Sequence, residues 1–354
     1  MASDMDIPSS SKEIVTRQNR WPLTLWVVGL SVGLVILALV CLCLGQYTVS
    51  ISQTFQILAG KLTGKTGQWK PMQENVILFL RLPRILSAGL VGAALALSGA
   101  VYQGIFRNPL VSPDLLGVSS GACVGAALSI LLGLSPVMTE AMAFACGLAA
   151  VALTLLIPKM LGSTSNVMLV LSGVIVSGLM SSVLGMIKYV ADPQSQLQAI
   201  TFWQMGSFAS VRYPDILSVL IPMVISFVIL LASSWWIDVL SMGETEAKLL
   251  GVNFGGIRNL SILCASLLTA SSVCMCGTIS WVGLVIPHFS RMLVGAHGTR
   301  NMPVACLLGA MFMIIVDTAA RNISGMEVPI SILTSLIGAP FYIALMRRNR
   351  GQLQ

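Results

Sequence analysis

The sequence predicts an all-α polytopic membrane protein with about ten transmembrane helices. Hydrophobic residues make up 56% of the 354 residues, and charged residues only 9%. The mean hydropathy of +0.88 agrees with this composition. Soluble domains carry about a quarter charged residues, so this chain could not cover a surface that faces water. Because lipid cannot satisfy unpaired backbone groups, each long apolar run is predicted to be a helix.

Ten apolar runs approach the length of a membrane span, which is about 20 residues. The first run follows Lys12, Arg17 and Arg20 and is too long for the apolar core of a signal peptide. The stretch between Arg258 and Arg291 has no charge and is too long for one crossing, so it is divided near its middle. The predicted spans are 23–44, 85–106, 115–133, 137–157, 167–189, 216–236, 258–275, 279–295, 303–322 and 328–346.

The positive charges predict how the spans are oriented. If the N-terminus lies inside, 12 of the 20 Lys and Arg residues fall on the inner side. This distribution favours an inner N-terminus, and an even number of spans places the C-terminus on the same side. The predicted organisation is an inner N-terminal segment 1–22, one transmembrane domain 23–346 and an inner tail 347–354. Since this pattern accounts for most of the net charge of +7, no nucleic-acid partner is predicted.

The sequence contains no recognisable catalytic or metal-binding set. Most of the eight cysteines lie in apolar runs, where cysteine behaves as a small hydrophobic residue. Cys274 and Cys276 are two residues apart, so on a helix they point to different sides and could not jointly bind a metal. His288 and His297 are the two histidines of the chain. We therefore predict no catalytic residue, no metal site and no cofactor on this chain.

Asp317 is the one acidic residue well inside a predicted span. An acidic residue at this depth suggests a functional site, for example a proton or cation relay. Arg321 follows one helical turn later and could instead form a structural ion pair with it. A secondary transporter coupled to ions would need ligands in broken helices at mid-membrane, and Asp317 alone qualifies.

Six strings of residues carry more specific information than the composition. They are Arg81-Leu-Pro-Arg84 with Gly92–Gly99; Arg107-Asn108-Pro109-Leu110 with Leu116–Ala122; Gly243–Asn253; Gly277–Arg291; Asp317–Arg321; and Pro329 with Gly338–Phe341. In this order and at these spacings they resemble the permease subunits of ATP-binding-cassette (ABC) importers for iron-siderophores, cobalamin and haem. The resemblance runs from about Arg81 to Arg348. Ser280 and Trp281 depart from it, because the family more often has glycine and phenylalanine there.

This resemblance implies a cobalamin-importer-permease-like bundle of ten helices, with 23–346 as a single permease domain. It implies a second permease subunit, identical or paralogous, with the path for the cargo between the two. Two ATP-binding subunits would bind from inside and a substrate-binding protein from outside, with ATP and magnesium held by the ATPase subunits. The expected location is a bacterial inner membrane, with both termini cytoplasmic and no chemistry on this chain.

The resemblance also assigns roles to individual residues. The loop 237–257 matches the helices that couple the ATPase to the membrane, although an ordinary solvated loop is the alternative; its matching residues are Gly243, Glu244, Glu246, Ala247, Leu250 and Gly251. Arg81, Arg84 and Arg321 match outer arginines that receive acidic residues of the binding protein, and we expect them to be exposed. Ser163, Thr164 and Ser165 align with an inner gate, unless they only cap a helix. The remaining motif residues, expected to be structural, are Arg107, Asn108, Pro109, Pro287, His288, Arg291 and Asp317.

The cargo is the least specified property. An iron-siderophore complex is expected from its frequency in the family, with cobalamin and haem as alternatives. An ion-coupled secondary transporter is the less favoured alternative, since it would leave the Gly243–Asn253 loop unexplained.

Overall fold

The computed structural model describes residues 22–64, 69–162, 165–323 and 327–348. Within these ranges the chain forms helices and short connections, and no strand occurs in them. The predicted terminal segments 1–22 and 347–354 lie almost wholly outside the described residues.

The described residues form fifteen α-helices. In chain order they are α1 (Leu23–Cys43), α2 (Ile51–Thr63), α3 (Pro71–Asn75), α4 (Leu82–Ile105), α5 (Val118–Leu131), α6 (Pro136–Met160), α7 (Asn166–Val190), α8 (Gln196–Met205), α9 (Tyr213–Ala232), α10 (Ser234–Met242), α11 (Glu244–Leu249), α12 (Phe254–Cys276), α13 (Val282–Val294), α14 (Gly298–Ala320) and α15 (Ile330–Arg348). A π-helical turn, Val76–Arg81, joins α3 to α4, and a 3₁₀ turn, Pro113–Leu116, precedes α5.

The ten predicted spans correspond to ten of these helices, which confirms the all-α membrane fold. Seven helical stretches of the described chain are long and apolar enough to cross a membrane. Six of these stretches are the single helices α1, α6, α7, α9, α12 and α14, and the seventh runs from α3 into α4 without a break. Three shorter apolar helices, α5, α13 and α15, lie where the other spans were predicted.

Two helix boundaries differ from the prediction for local reasons. The span predicted from residue 115 becomes α-helical at Val118, because Gly117 has a φ of 81° and ends the 3₁₀ turn in the left-handed region. The span predicted from residue 303 already begins at Gly298. There the Asp238 carboxylate accepts a hydrogen bond of 2.5 Å from the Gly298 N–H, which caps the first turn of α14.

Small residues bring α4, α13 and α14 into backbone contact at the centre of the bundle. A Cβ atom on Gly92 would collide with the carbonyl oxygen of Gly309 in α14. A Cβ atom on Gly99 would likewise collide with the carbonyl oxygen of Gly283 in α13. Inside lipid, helices associate through this kind of close packing, because no hydrophobic force drives them together. The three helices therefore form a tightly packed inner group.

Apart from α12, which is as buried as α4, the long helices around this group are less buried. In the most apolar stretch of α4, 78% of the residues are buried, against 22% in α7 and α9 and 11% in α1. The exposed side chains of these outer helices are mostly large and apolar, such as Val28, Val174 and Ile221. Such faces are suited to lipid or to another membrane subunit.

Helix α4 separates two chemically different ends of the bundle. Its 24 residues span ~36 Å at 1.5 Å per residue. Arg84 lies in its first turn, on what we call the arginine end, which also carries Arg81 and Arg321. Gly104 lies in its last turn, against Ile237 of α10, on what we call the α11 end.

Candidate coupling and docking sites

A sharp reversal of the chain separates α10 from α11. Gly243 lies between the two helices with a φ of 134°, a backbone conformation that side chains rarely adopt. A Cβ atom at this position would also collide with the carboxylate of Glu246. Gly251 has a φ of 72° and ends the segment, where its N–H donates to the carbonyl of Lys248 at 3.0 Å. The short helix pair predicted for 237–257 is therefore present, and two glycines determine its turns.

Helix α11 is fixed on one face and exposed at its tip. Ala247 is fully buried and packs with Val239 and Val252 in a small apolar cluster. By contrast, Leu249 is 83% exposed and Leu250 is 57% exposed. Two adjacent leucines at the tip of a charged loop are unusual for a surface that faces only water. The resemblance assigned a coupling role to Leu250 and not to its exposed neighbour Leu249, and this role stays a prediction.

The charged residues of α11 are placed where they stabilise a short helix. Lys248 Nζ lies 2.8 Å from Glu244 Oε1, one helical turn away. The hydrogen bond from Lys248, together with its positive charge, lowers the pKa of the Glu244 carboxyl below its ordinary value. Glu244 and Glu246 lie in the first turn, where negative charge complements the helix dipole, and Lys248 lies in the last. Glu244 therefore carries its full negative charge at neutral pH.

The Arg107-Asn108-Pro109 motif lies beside this segment. Arg107 has a φ of 52°, and its Nη1 would be 3.2 Å from a Cβ atom on Gly243. Asn108 Oδ1 accepts a hydrogen bond of 2.9 Å from the Leu110 N–H, which stabilises the turn after α4. The three motif residues line an open cavity of about 230 Å³, together with Asp238 and Arg291. The motif thus connects the end of α4 to the α10–α11 reversal.

Pro287, His288 and Arg291 lie on α13, close to the same end. Pro287 is buried within the helix, and His288 is partly buried. Ser290, also on α13, donates a hydrogen bond of 3.0 Å to the carbonyl of Asn301 in α14. Among the described residues, no three His, Cys, Asp or Glu side chains lie close enough together to hold a metal ion. A hydrogen bond beside this motif therefore joins α13 to α14.

The predicted pairing of Asp317 and Arg321 is present, but Arg84 is the nearer partner of Asp317. Arg84 Nε lies 2.7 Å from Asp317 Oδ1, whereas Arg321 Nε lies 3.8 Å from Asp317 Oδ2. Asp317 is completely buried. A buried carboxylate needs a paired charge, and α4 supplies it from 233 residues away in the sequence. The acid is thus part of an ion-pair cluster that joins α4 to α14.

The expectation that the three arginines are exposed is wrong for this conformation. Arg81 is 4% exposed, Arg84 is 7% exposed and Arg321 is 9% exposed. Arg81 donates hydrogen bonds to the carbonyls of Leu42 at 2.7 Å and Tyr47 at 2.5 Å. Arg321 Nη2 donates to the Cys41 carbonyl at 2.9 Å. The last turn of α1 leaves the carbonyls of Cys41 and Leu42 without partners inside the helix, so Arg321 and Arg81 act as its cap. Their docking role stays a prediction.

An acid that sequence reasoning missed completes the arginine cluster. Glu327 forms an ion pair with Arg84 Nη1, and its other oxygen lies 3.4 Å from Ser207 Oγ, which donates to it. Its side chain is 38% exposed, in contrast to that of Asp317. The neighbouring Ile330 N–H, at the start of α15, donates to the Gly206 carbonyl at 3.1 Å. An acid just before the last span, on the same predicted side as Arg81, Arg84 and Arg321, was the available signal.

The predicted gate residues are only partly within the described chain. Ser163 and Thr164 lie outside the described residues. Ser165 is the N-cap of α7, and its Oγ accepts a hydrogen bond of 3.2 Å from the Val167 N–H. One exposed face of α7 further along is small and weakly polar, with Gly178, Ser181 and Ser182. The cap interpretation of Ser165 is therefore observed, and its gate role stays a prediction.

Comparison with known proteins identifies the family. The model of the FecCD transport family matches residues 33–348. The molybdate import system permease protein MolB of Haemophilus influenzae is 44% identical over 326 residues, covering 91% of this chain and 96% of the relative. A probable iron chelatin transport system permease protein of Helicobacter pylori is 38% identical, covering 91% and 98%. These matches extend along nearly the whole transmembrane domain.

A solved structure supports the same assignment. It is described as an inward-facing conformation of a metal-chelate type ABC transporter and is 42% identical in sequence. The two chains superpose with a TM-score of 0.82, covering 91% of this chain and 98% of the other. The resemblance inferred from the six strings is thereby confirmed. The chain belongs to the FecCD transport family and is a multi-pass permease subunit of an ABC importer, not an enzyme.

Proposed function

We propose that this chain forms half of the translocation path of an importer driven by ATP. A second permease subunit, identical or paralogous, supplies the other half. Two ATPase subunits, which hold the ATP and magnesium, bind the α11 end from the cytoplasm, and a substrate-binding protein docks on the arginine end. The assembly lies in a bacterial inner membrane with both termini of this chain cytoplasmic.

The observation that carries this proposal is the construction of α11. Its buried face around Ala247 holds it firmly against the bundle, while Leu249 and Leu250 project into water. An ATPase subunit with an apolar cleft would bury these leucines and push α11 as a rigid body. Through Gly243 and Arg107 such a push reaches the end of α4, which is the central helix of the bundle.

Docking of the binding protein on the arginine end is the second part of the proposal. The structural similarity to a transporter described as inward-facing supports the same state for this chain, with its outer side closed. In this state the guanidinium groups of Arg81, Arg84 and Arg321 are bonded within the chain. Docking would then require them, or the residues around them, to change partners.

The cargo we favour is a molybdate-type oxyanion. The support is the identity of 44% to a molybdate permease, against 38% to an iron chelatin permease. An iron-siderophore complex is the second candidate, supported by the latter relative. Cobalamin and haem, which the resemblance left open, come after these two.

Reconstitution tests the function and the cargo together. The permease is assembled in proteoliposomes with its cognate ATPase and binding protein, and uptake of radioactive molybdate or of a ferric siderophore is measured. We expect molybdate uptake that requires internal ATP and a hydrolysing ATPase. Uptake of ferric siderophore alone would make the second cargo correct. Uptake that is insensitive to ATP but abolished by an uncoupler would instead indicate a secondary transporter.

A further inference from the structure

Glu327 holds the place that a docking carboxylate would occupy. Of the two acids paired with Arg84, Asp317 is fully buried and lies in α14, whereas Glu327 is 38% exposed and lies just before α15. The two acids bond different nitrogens of the guanidinium, Nε and Nη1. The Asp317 carboxylate beside this arginine is therefore enclosed, whereas the Glu327 carboxylate is accessible to solvent.

The connection that carries Glu327 also attaches the beginning of α15 to the rest of the bundle. Val328 N–H donates to the Ala320 carbonyl of α14 at 3.2 Å, and Ile330 N–H donates to the Gly206 carbonyl at 3.1 Å. Gly206 follows α8, so the start of α15 is attached to α8 and α14 by its backbone. The side chain of Glu327 adds the attachment to α4, through Arg84.

We propose that Glu327 is an internal competitor for the binding protein, and that docking releases the outer end of α15 by exchange of carboxylates at Arg84. This inference rests on the proposed function, because it requires a binding protein that presents acidic side chains. An incoming carboxylate takes the Nη1 position, and Glu327 moves out into water. Arg84 stays paired throughout, since Asp317 retains its Nε.

The exchange is physically reasonable because the two ion pairs differ in exposure. A pair with one partially exposed partner gains little over hydrated charges, so it exchanges readily. Removing the partner of a buried charge is strongly unfavourable, so the pair of Arg84 with Asp317 is retained. Loss of Glu327 from Arg84 leaves the start of α15 held by two backbone hydrogen bonds, which open more easily than the complete set.

Glu327→Gln tests this inference, with Glu74→Gln as the matched control. Glu74 is also on the arginine end and also loses one charge, but its partner is Trp69 Nε1 at 2.9 Å and no arginine. The complete transporter in nanodiscs, without nucleotide and at low salt, is titrated with its cognate binding protein. Removal of the competitor should lower the Kd about two- to fivefold. Glu74→Gln should leave the Kd within error of the wild-type value.

Hydrogen exchange of the Val328 and Ile330 amides provides the second measurement. Both should exchange several-fold faster in Glu327→Gln without binding protein, and in the wild-type chain once the binding protein is bound. An unchanged or weaker affinity of Glu327→Gln would overturn the inference, and so would unchanged exchange on docking. Failure of ATP-driven uptake by the wild-type assembly would instead refute the proposed function, so the two failures are distinguishable.

Discussion

Gly99 of α4 lies directly against the backbone carbonyl of Gly283 in α13, and no methyl group fits between them. The same holds for Gly92 and Gly309, where α4 meets α14. These two contacts limit how closely α13 and α14 each approach α4.

Replacement of Gly99 by alanine should therefore destabilise the bundle, because the new methyl group meets a backbone atom that cannot rotate away. Overpacking of this kind costs about 1–3 kcal/mol. The thermal unfolding midpoint of the purified permease in detergent should fall by several degrees. Gly29→Ala is the control: Gly29 lies in α1 with open space around the added Cβ. Equal midpoints for the two variants would show that the contact is not tight.

Replacement of Leu249 by glutamine should uncouple ATP hydrolysis from uptake without loss of expression. The exposed leucine is proposed to enter an ATPase cleft, and an amide there would be buried without partners, at about 1–3 kcal/mol. Met160→Gln is the control, because Met160 is 84% exposed near the same end but does not belong to α11. The measurement is uptake per ATP hydrolysed in proteoliposomes. Normal coupling in Leu249→Gln would contradict the role assigned to this tip.

Replacement of Arg84 by methionine should destabilise the chain strongly, by about 3–5 kcal/mol, because Asp317 would be left buried without its nearest positive charge. The double variant Arg84→Met, Asp317→Asn should recover part of this loss, since neither charge remains. Denaturation of the single and double variants completes a double-mutant cycle. Additive effects of the two substitutions would mean that the ion pair contributes nothing specific.

Ser165 can be tested for its two possible roles with two substitutions. Ser165→Ala removes the N-cap of α7 and should cost about 1 kcal/mol, whereas Ser165→Asp should retain it, because aspartate is an equally good N-cap. If Ser165 only caps the helix, the aspartate variant transports normally. If the residue lines a gate for an anionic cargo, the added negative charge should reduce uptake at unchanged stability.

The number of helices and the position of α11 could be predicted from the sequence because both depend on local patterns. Apolar length determines a span, and the positions of Gly243 and Gly251 indicate the reversal of α10 and α11. The burial of Arg81, Arg84 and Arg321 could not be predicted in this way. A count of charges on each side of the membrane assumes that every arginine faces water. Arg84 instead pairs with Asp317, which lies 233 residues later in the chain.

The same limit explains why Glu327 was missed. Sequence alone offered Arg321 as the partner of Asp317, since the two are one helical turn apart. In the structure Arg84 of α4 bridges Asp317 and Glu327, so the arrangement depends on how α4 packs against α14 and the start of α15. The short helices α2 and α3 were also not predicted, because their sequences mix polar and apolar residues and resemble a polar loop.

The glycine contacts restrict how this bundle can change shape. Where a backbone carbonyl of one helix fills the space left by a missing side chain on its neighbour, a shift along the axis brings the next side chain into that carbonyl. Since side chains on one face of a helix recur every three to four residues, or about 5 Å, a displacement of that size would meet an obstacle. Helices α4, α13 and α14 consequently have almost no freedom to slide past one another. We therefore expect the alternation of access during transport to use movements other than sliding among these three helices.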